Sequence, residues 1–250
     1  MAVTIGYILD ALQARMPFER AEEYDNVGLL AGSRAHAVSR ALCALDLNPR
    51  VLDEAAQLGA SLIVTHHPIL FRGRKNLAED DPEGAMLARL VRESRSLIAM
   101  HTNFDNADDG VNDALAAVLG LADVAPLEGG VRIGRIPETA LSQLAQFVTK
   151  RLGGVVRRYG DAEHRVSRVA VLGGSGKDHC QIALDAGADV YITGEIGYHF
   201  ALEMHELGMC VLEAGHAATE KPAVRHMVGI LQSMPGMELE IFESAIEPFL

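Results

Sequence analysis

The chain contains no tryptophan, and aromatic residues make up only 5% of its 250 positions. Only three cysteines are present, Cys43, Cys180 and Cys210, and they lie far apart in apolar runs. Their spacing matches neither a disulfide framework nor a thiolate zinc site. We therefore expect three core thiols and a reducing, cytoplasmic setting.

Two further absences concern membranes and nucleic acids. No apolar run reaches the ~18 residues of a membrane span. The N-terminus lacks the basic start and long apolar core of a signal peptide. The formal net charge is −12, with 22 Lys and Arg against 34 Asp and Glu. We therefore expect no membrane partner and no general nucleic-acid-binding surface.

Strand patterns alternate with helical patterns along most of the chain. In the first half, strand patterns lie at 40–46, 61–65 and 96–100, and helical patterns lie at 49–58, 83–93 and 110–119. This alternation predicts an α/β fold with a largely parallel sheet. The length allows two domains, and residues 125–130, with one proline and two glycines, are the best linker candidate.

Polar side chains follow three successive strand patterns. Asp46 ends the first, His66 and His67 follow the second, and His101 and Asp105 follow the third. Because parallel strands present their carboxyl ends at one edge of a sheet, we expect these groups on a common rim. Taken alone, the paired histidines also fit a structural interpretation, in which one caps the chain and the other is solvated.

A second pair of candidate ligands follows the strand pattern at 209–212. His216 and Glu220 are four residues apart and share one face of a helix that begins at Gly215. Imidazoles and carboxylates without thiolates favour Zn, Fe, Mn, Co or Ni over Ca or Mg. Three histidines and two carboxylates exceed the needs of one open catalytic ion and suit two bridged ions. The full candidate set is His66, His67, Asp105, His216 and Glu220.

Five motifs, in order along nearly the whole chain, resemble the family of GTP cyclohydrolase 1 type 2 homologues, also called NGG-interacting-factor-like dinuclear metal proteins. The motifs lie at Glu23–Leu29, Thr65–Phe71, His101–Asp105, Thr193–Glu195 and Gly215–Glu220. Tyr24 replaces the usual tryptophan of the first motif, and Ala217 replaces a second histidine that many members carry after the ligand.

The resemblance implies a dinuclear metal site with ligands at the five candidate positions. It implies two α/β domains with mixed, largely parallel sheets, the metals near their junction, and a homohexameric assembly. On this basis we predict that residues 1–127 and 208–250 form the domain with most of the metal ligands. Residues 128–207 then form a second, smaller α/β domain.

Two functions remain open at this stage. In the first, the protein is a hydrolase in which a metal-bound hydroxide attacks a small-molecule substrate, such as a nucleotide or a phosphorylated compound. His101 then orients a ligand or shuttles a proton. In the second, the protein is a non-catalytic metal-binding oligomer that delivers ions or docks partner proteins.

Several other groups have two interpretations. The stretch Gly173–Lys177 is not a Walker A motif, and it forms either an anion cradle or a tight turn. The Asp25–Asn26 pair fits simple turn chemistry. Arg72, Arg74 and Lys75 either receive a phosphate or belong to a solvated loop. Glu195 and His199 are weaker candidates for the group formed by His216 and Glu220. Four arginines are interpreted as surface charges: Arg157, Arg158, Arg165 and Arg168.

Overall fold

The computed structural model describes residues 3–236 and 238–247 of the chain. Its internal contacts divide the chain into two compact units. Unit 1 comprises Met1–Ala107 and Val224–Leu250, and unit 2 comprises Asp108–Ala223. The chain therefore leaves the first unit and returns to it after the second is complete.

The secondary structure alternates as the sequence predicts. The strands are β1 (Val3–Thr4), β2 (Gly28–Ala31), β3 (Ala37–Val38), β4 (Arg40–Ala44), β5 (Leu62–Thr65), β6 (Ser96–Ala99), β7 (Ala122–Pro126), β8 (Arg132–Ala140), β9 (Arg157–Tyr159), β10 (Arg165–Ser175), β11 (Val190–Glu195), β12 (Cys210–Glu213) and β13 (Glu240–Glu243). The α-helices are α1 (Ile5–Arg15), α2 (Pro49–Leu58), α3 (Pro82–Arg92), α4 (Thr102–Asp105), α5 (Val111–Val118), α6 (Leu141–Leu152), α7 (Cys180–Asp185), α8 (Tyr198–Glu206) and α9 (His216–Ser233). Short 3-10 helices span Phe18–Arg20, Glu128–Gly130 and Lys177–His179.

The main sheet of unit 1 has the order β13-β4-β5-β6-β2. Pairing is parallel from β13 through β6, and only the edge strand β2 is antiparallel among the described strands of this sheet. Strands β5 and β6 are buried along their whole lengths, as expected for parallel strands covered on both faces. The carboxyl ends of β4, β5 and β6 therefore lie side by side at one edge.

Helix boundaries in unit 1 follow from local capping chemistry. The side chain of Thr4 accepts a hydrogen bond from the Tyr7 amide at the start of α1. At α2, Asn48 caps the first turn, Pro49 occupies its favoured first position, and Gly59 ends the helix in the left-handed conformation. These signals explain why the predicted helices begin and end close to their observed positions.

The sheet of unit 2 has the order β7-β8-β10-β11-β12-β9. Its central strands β10, β11 and β12 are parallel, and the flanking strands are antiparallel. Alternate residues of β10 enter different hydrophobic clusters. Val169 and Val171 pack with Leu141 and Leu144 of α6, whereas Ala170 packs in the other cluster. Because successive side chains of a strand point to opposite faces, this sheet has a core on each face.

These observations confirm a mixed α/β fold with two sheet-rich units. All three cysteines are buried and free, and burial raises the pKa of the Cys43 thiol to about 12. Within the described part of the chain, no helix combines the length and the apolar character needed to cross a bilayer.

The unit boundaries differ from the predicted positions at 127/128 and 207/208. Residues 108–127 belong to unit 2 because α5 places Leu115 and Ala116 in the core beside β10, and β7 pairs with β8. The predicted linker at 125–130 is instead the end of β7 and a 3-10 helix. At the second boundary, β12 pairs with β11 and so remains in unit 2. Strand β7 is exposed throughout, so it lacks the apolar pattern that would have revealed it.

An ion pair between a buried arginine and a partly exposed aspartate links α5 to β8 within unit 2. Arg132, which is buried, donates from Nε and Nη2 to the two carboxylate oxygens of Asp113 at 2.9 and 2.8 Å. Asp113 also accepts a hydrogen bond from the Gly110 amide at the start of α5. We expect Asp113→Ala to lower the free energy of unfolding by about 3 kcal/mol, because it leaves a buried guanidinium without its carboxylate.

Chemical denaturation of the Asp113→Ala variant measures this loss. The matched control is Glu138→Ala, which removes the partner of the exposed Arg165 and should change stability by less than about 1 kcal/mol. Equal effects of the two substitutions would contradict the special role assigned to the pair of Arg132 and Asp113.

Candidate metal centre

Three histidines of unit 1 converge at the carboxyl edge of its sheet. His66 and His67 follow β5, and His101 follows the neighbouring strand β6. One ligand atom from each of the three residues lies within 4.8 Å of the others. The ring centroids are 4.9 Å apart for His66 and His67, 5.2 Å for His66 and His101, and 5.4 Å for His67 and His101. The rim predicted from the strand pattern is therefore present in the structure.

Backbone hydrogen bonds extend the pairing of β4 with β5 to the paired histidines. The amides of His66 and His67 donate to the carbonyls of Ala44 and Leu45 at 3.2 and 2.9 Å. The Thr65 hydroxyl donates to the His67 carbonyl at 2.8 Å. The chain therefore stays fixed beside β4 as it leaves β5, and the two rings splay about a common region instead of pointing to opposite faces of a strand.

Each of the three imidazoles is held by a hydrogen bond at Nδ1. That atom donates to the Met100 carbonyl in His66, to Asp46 Oδ1 in His67 and to Asp25 Oδ1 in His101, at 2.8, 2.8 and 2.9 Å. An oxygen acceptor at Nδ1 fixes both the ring orientation and the tautomer, and it directs Nε2 toward a metal ion. This arrangement is typical of metal-binding histidines.

Asp25 is a buried anchor, although the sequence suggested only turn chemistry at this position. Its side chain is fully buried, and it accepts hydrogen bonds from His101 Nδ1 and from the Thr102 amide and hydroxyl. Burial acts to raise the pKa of this carboxyl, but the hydrogen bonds from His101 and Thr102 outweigh that effect and hold the pKa well below its ordinary value. Asp25 lies inside the first of the five motifs, and that signal could have identified it.

The predicted ligand Asp105 also lies in this cluster. It ends the short helix α4, which begins directly after His101, and its Oδ1 is 3.7 Å from His66 Nε2. The structure thus brings together four residues selected from the sequence in unit 1: His66, His67, His101 and Asp105. The role of Asp46 as the acceptor for His67 adds a carboxylate that the sequence had placed on the rim without a specific contact.

The other two predicted ligands lie together in unit 2. His216 begins α9, and Glu220 follows one turn later, with His216 Nε2 at 3.2 Å from Glu220 Oε1. Glu220 is buried, and His216 Nδ1 is 3.6 Å from Glu195 Oε2. Thus Glu195 adjoins this pair, whereas His199 is exposed beside Tyr198 on α8.

The stretch Gly173–Lys177 provides close packing beside this pair. The amides of Gly173, Gly174 and Gly176 donate to Asn112 Oδ1, Thr219 Oγ1 and the Glu195 carbonyl, respectively, so they are already engaged by the protein. A Cβ atom at Gly174 would lie 2.2 Å from Glu220 Oε1. These contacts favour the interpretation of the stretch as a tight turn over that of an anion cradle.

The donor chemistry fits divalent transition metals. Both units offer imidazole nitrogens and carboxylate oxygens, and the buried cysteines lie outside these groups. Together with the anchored Nδ1 atoms, this donor set matches the ligands expected for Zn, Fe, Mn, Co or Ni.

The arginines interpreted as surface charges include Arg157 and Arg165, which are exposed and face Glu213 and Glu138.

Comparisons with known proteins identify the family and the fold. Residues 3–248 match the family model Duf34/NIF3 (NGG1p interacting factor 3). The chain is 34% identical over 227 residues to a GTP cyclohydrolase 1 type 2 homolog of Clostridium perfringens, covering 87% of each chain. It is 38% identical over 233 residues to the homolog of Streptomyces coelicolor, covering 87% of this chain and 82% of the relative. The solved structure of Staphylococcus aureus hypothetical protein SA1388 superposes with a TM-score of 0.96 at 26% identity, covering 100% of this chain and 99% of the other.

The close packing at Gly174 generates a prediction. Gly174→Ala introduces a Cβ atom at a φ of +65° and against Glu220, so it should both strain the backbone and displace that carboxylate. We expect a loss of about 2 kcal/mol in the free energy of unfolding, together with reduced zinc binding. Denaturation of the metal-free protein and zinc titration measure the two effects.

Gly120→Ala is the matched control, because Gly120 has a similar φ of +70° but no atom within 4 Å of its would-be Cβ. That variant should show the backbone strain alone, with unchanged zinc binding. Equal zinc affinity in the Gly174→Ala variant and the native protein would contradict the supporting role of this glycine.

Proposed function

Because the chain belongs to the Duf34/NIF3 family, we propose that it is a metal-dependent hydrolase that holds a dinuclear centre of divalent transition-metal ions. The observation that carries this proposal is the set of three converging imidazoles, each anchored at Nδ1 by an oxygen acceptor. The proposed metal ligands are His66, His67 and Asp105 in unit 1, with His216 and Glu220 in unit 2. The proposed ions are Zn, Fe, Mn, Co or Ni.

When bound, such ions lower the pKa of water and polarise the bond to be broken. The proposed substrate is a nucleotide or another phosphorylated small molecule. Its support is the name of the relatives, GTP cyclohydrolase 1 type 2 homolog, which makes GTP the first compound to test.

His101 is the proposed proton carrier. Its Nδ1 proton is donated to Asp25, so in the neutral ring the lone pair is at Nε2. The Asp25 carboxylate holds the ring in this tautomer and stabilises the imidazolium that forms when Nε2 accepts a proton from water. This role is supported by the position of His101, which contributes a ring nitrogen to the same cluster as His66 and His67.

Metal analysis of variants tests these roles. Protein purified without added metal should contain about two transition-metal ions per chain, and His67→Ala and His216→Ala should each lower that content. His101→Ala should retain the metal but lower the turnover of GTP by about 100-fold, because it removes the proton carrier. Elemental analysis and steady-state kinetics provide the two measurements.

The control is His205→Ala, which removes an exposed histidine of α8 and should change neither quantity. Full metal occupancy in the His67→Ala variant would exclude His67 as a ligand. Metal binding without turnover of GTP or any phosphoester would favour the non-catalytic alternative, in which the protein delivers ions or docks partners.

We also propose that the protein acts in the cytoplasm and assembles as a homohexamer, as the family resemblance implies. The three free, buried cysteines suit a reducing compartment. Light scattering on the purified protein should give a mass of about six chains, as closed symmetry permits. A monomer at micromolar concentration would contradict the proposed assembly.

A further inference from the structure

A cavity of about 590 Å³ lies in unit 1 beside the histidine cluster. Its walls come from residues 24–26 and from the loop at residues 70–77. The volume falls within the ~300–1,000 Å³ that is usual for small-molecule sites. None of the proposed metal ligands lines this cavity, so its chemistry requires a separate explanation.

One wall of the cavity is aromatic. The rings of Tyr24 and Phe71 pack edge to face with their centroids 6.0 Å apart, and they remain 65% and 44% exposed. Exposed aromatic surface of this kind is a platform on which the planar ring of a ligand can stack.

Three cationic residues of the loop at residues 70–77 also line the cavity: Arg72, Arg74 and Lys75. Arg74 is committed to the fold, because it donates to Asp81 at 2.6 Å and to Glu83, and these hydrogen bonds raise the pKa of its guanidinium. Arg74 thereby fastens the loop to the start of α3. Arg72 and Lys75 are exposed, and among residues 3–236 and 238–247 neither has a described carboxylate partner.

The charge arrangement favours an anionic ligand with one phosphate group. The acids that follow the loop are mostly occupied, because Glu79 pairs with Arg92, while Asp81 and Glu83 pair with Arg74. Two available cations in a chain with a net charge of −12 suit one phosphate, not a polyanionic strand. A small phosphorylated molecule therefore fits better than a nucleic acid.

The cavity adjoins the candidate metal ligands through two residues. Asp25 lines the cavity and accepts the Nδ1 hydrogen bond of His101, and the Phe71 ring centroid lies 6.1 Å from that of His101. A planar group stacked on Phe71 would thus lie beside the proposed proton carrier.

We propose that this cavity binds a mononucleotide-like ligand, with its planar ring against Tyr24 and Phe71 and its phosphate on Arg72 and Lys75. This inference deepens the proposed function by assigning residues to substrate binding. It rests on that function only for the claim that the bound ligand is then hydrolysed. Binding itself requires no metal, because the contacts come from the cavity walls alone.

Calorimetric titration of metal-free protein tests the proposal. The probes are the four common nucleoside 5′-monophosphates, the matching nucleosides, ribose 5-phosphate and inorganic phosphate. At least one mononucleotide should bind roughly tenfold more tightly than its nucleoside and than ribose 5-phosphate, because each fragment lacks one set of contacts. Failure of all four mononucleotides to bind would overturn the proposal.

Variants separate the two sets of contacts. Arg72→Ala combined with Lys75→Ala should weaken mononucleotide binding by roughly tenfold and leave nucleoside binding unchanged. Phe71→Leu should weaken both the mononucleotide and the nucleoside. The control is Arg158→Ala, which removes an exposed arginine of β9 in unit 2 and should have no effect. Melting temperatures of all variants verify that they remain folded.

Two further outcomes would contradict the assignment. One is unchanged mononucleotide binding in the cation variant, and the other is tighter binding of a single-stranded oligonucleotide than of any mononucleotide. Because the titrations use metal-free protein, their failure leaves the metal analysis of the His67 and His216 variants unaffected. A protein that binds mononucleotides but no metal would support the cavity and contradict the hydrolase.

Discussion

The hydrogen bonds at Nδ1 of His66, His67 and His101 are the interaction on which the site of unit 1 depends. The ring centroids of these three imidazoles lie 4.9, 5.2 and 5.4 Å apart. Oxygen acceptors at Nδ1 favour the neutral tautomer that carries its lone pair at Nε2. The acceptors are two carboxylates and one carbonyl, and each is positioned by the sheet or by a loop beside it.

The parallel arrangement of β4, β5 and β6 explains why these acceptors are within reach. Asp46 follows β4, the paired histidines follow β5, and the Met100 carbonyl follows β6. The strands are adjacent and parallel, so their ends lie side by side. Asp25 precedes the edge strand β2, which is antiparallel to β6, so the chain approaches the same edge from the other direction.

Unit 2 presents its two candidate ligands through close packing of glycines. The backbone at Gly174 and Gly194 comes so near Glu220, His216 and Thr219 that a Cβ at either position would overlap a neighbouring atom. Thr219 completes this packing by accepting a hydrogen bond from the Gly174 amide. Gly194 of the Thr193–Glu195 motif and Gly174 near the end of β10 therefore both allow the backbone to approach the first turn of α9 closely.

The sequence alone indicated the alternating α/β pattern, the helix at 49–58, and the choice of His66, His67, Asp105, His216 and Glu220 as candidate ligands. These features depend on local chemistry, on strand order or on short motifs, all of which are visible in one dimension. The exposed strand β7 has no apolar pattern, so the sequence alone did not reveal it.

The hydrogen-bond partners of the histidines depend on long-range packing. Asp25 and His101 are 76 positions apart, and Asp46 and His67 are 21 apart, so no local pattern records either hydrogen bond. The same holds for the cavity beside Phe71, which requires residues 24–26 to fold against the loop at 70–77. The identities of the side chains were sufficient to choose the candidate ligands. Their hydrogen-bond acceptors follow from the long-range packing of the strand ends, because hydrogen-bond geometry depends on positions in space and not on spacing along the chain.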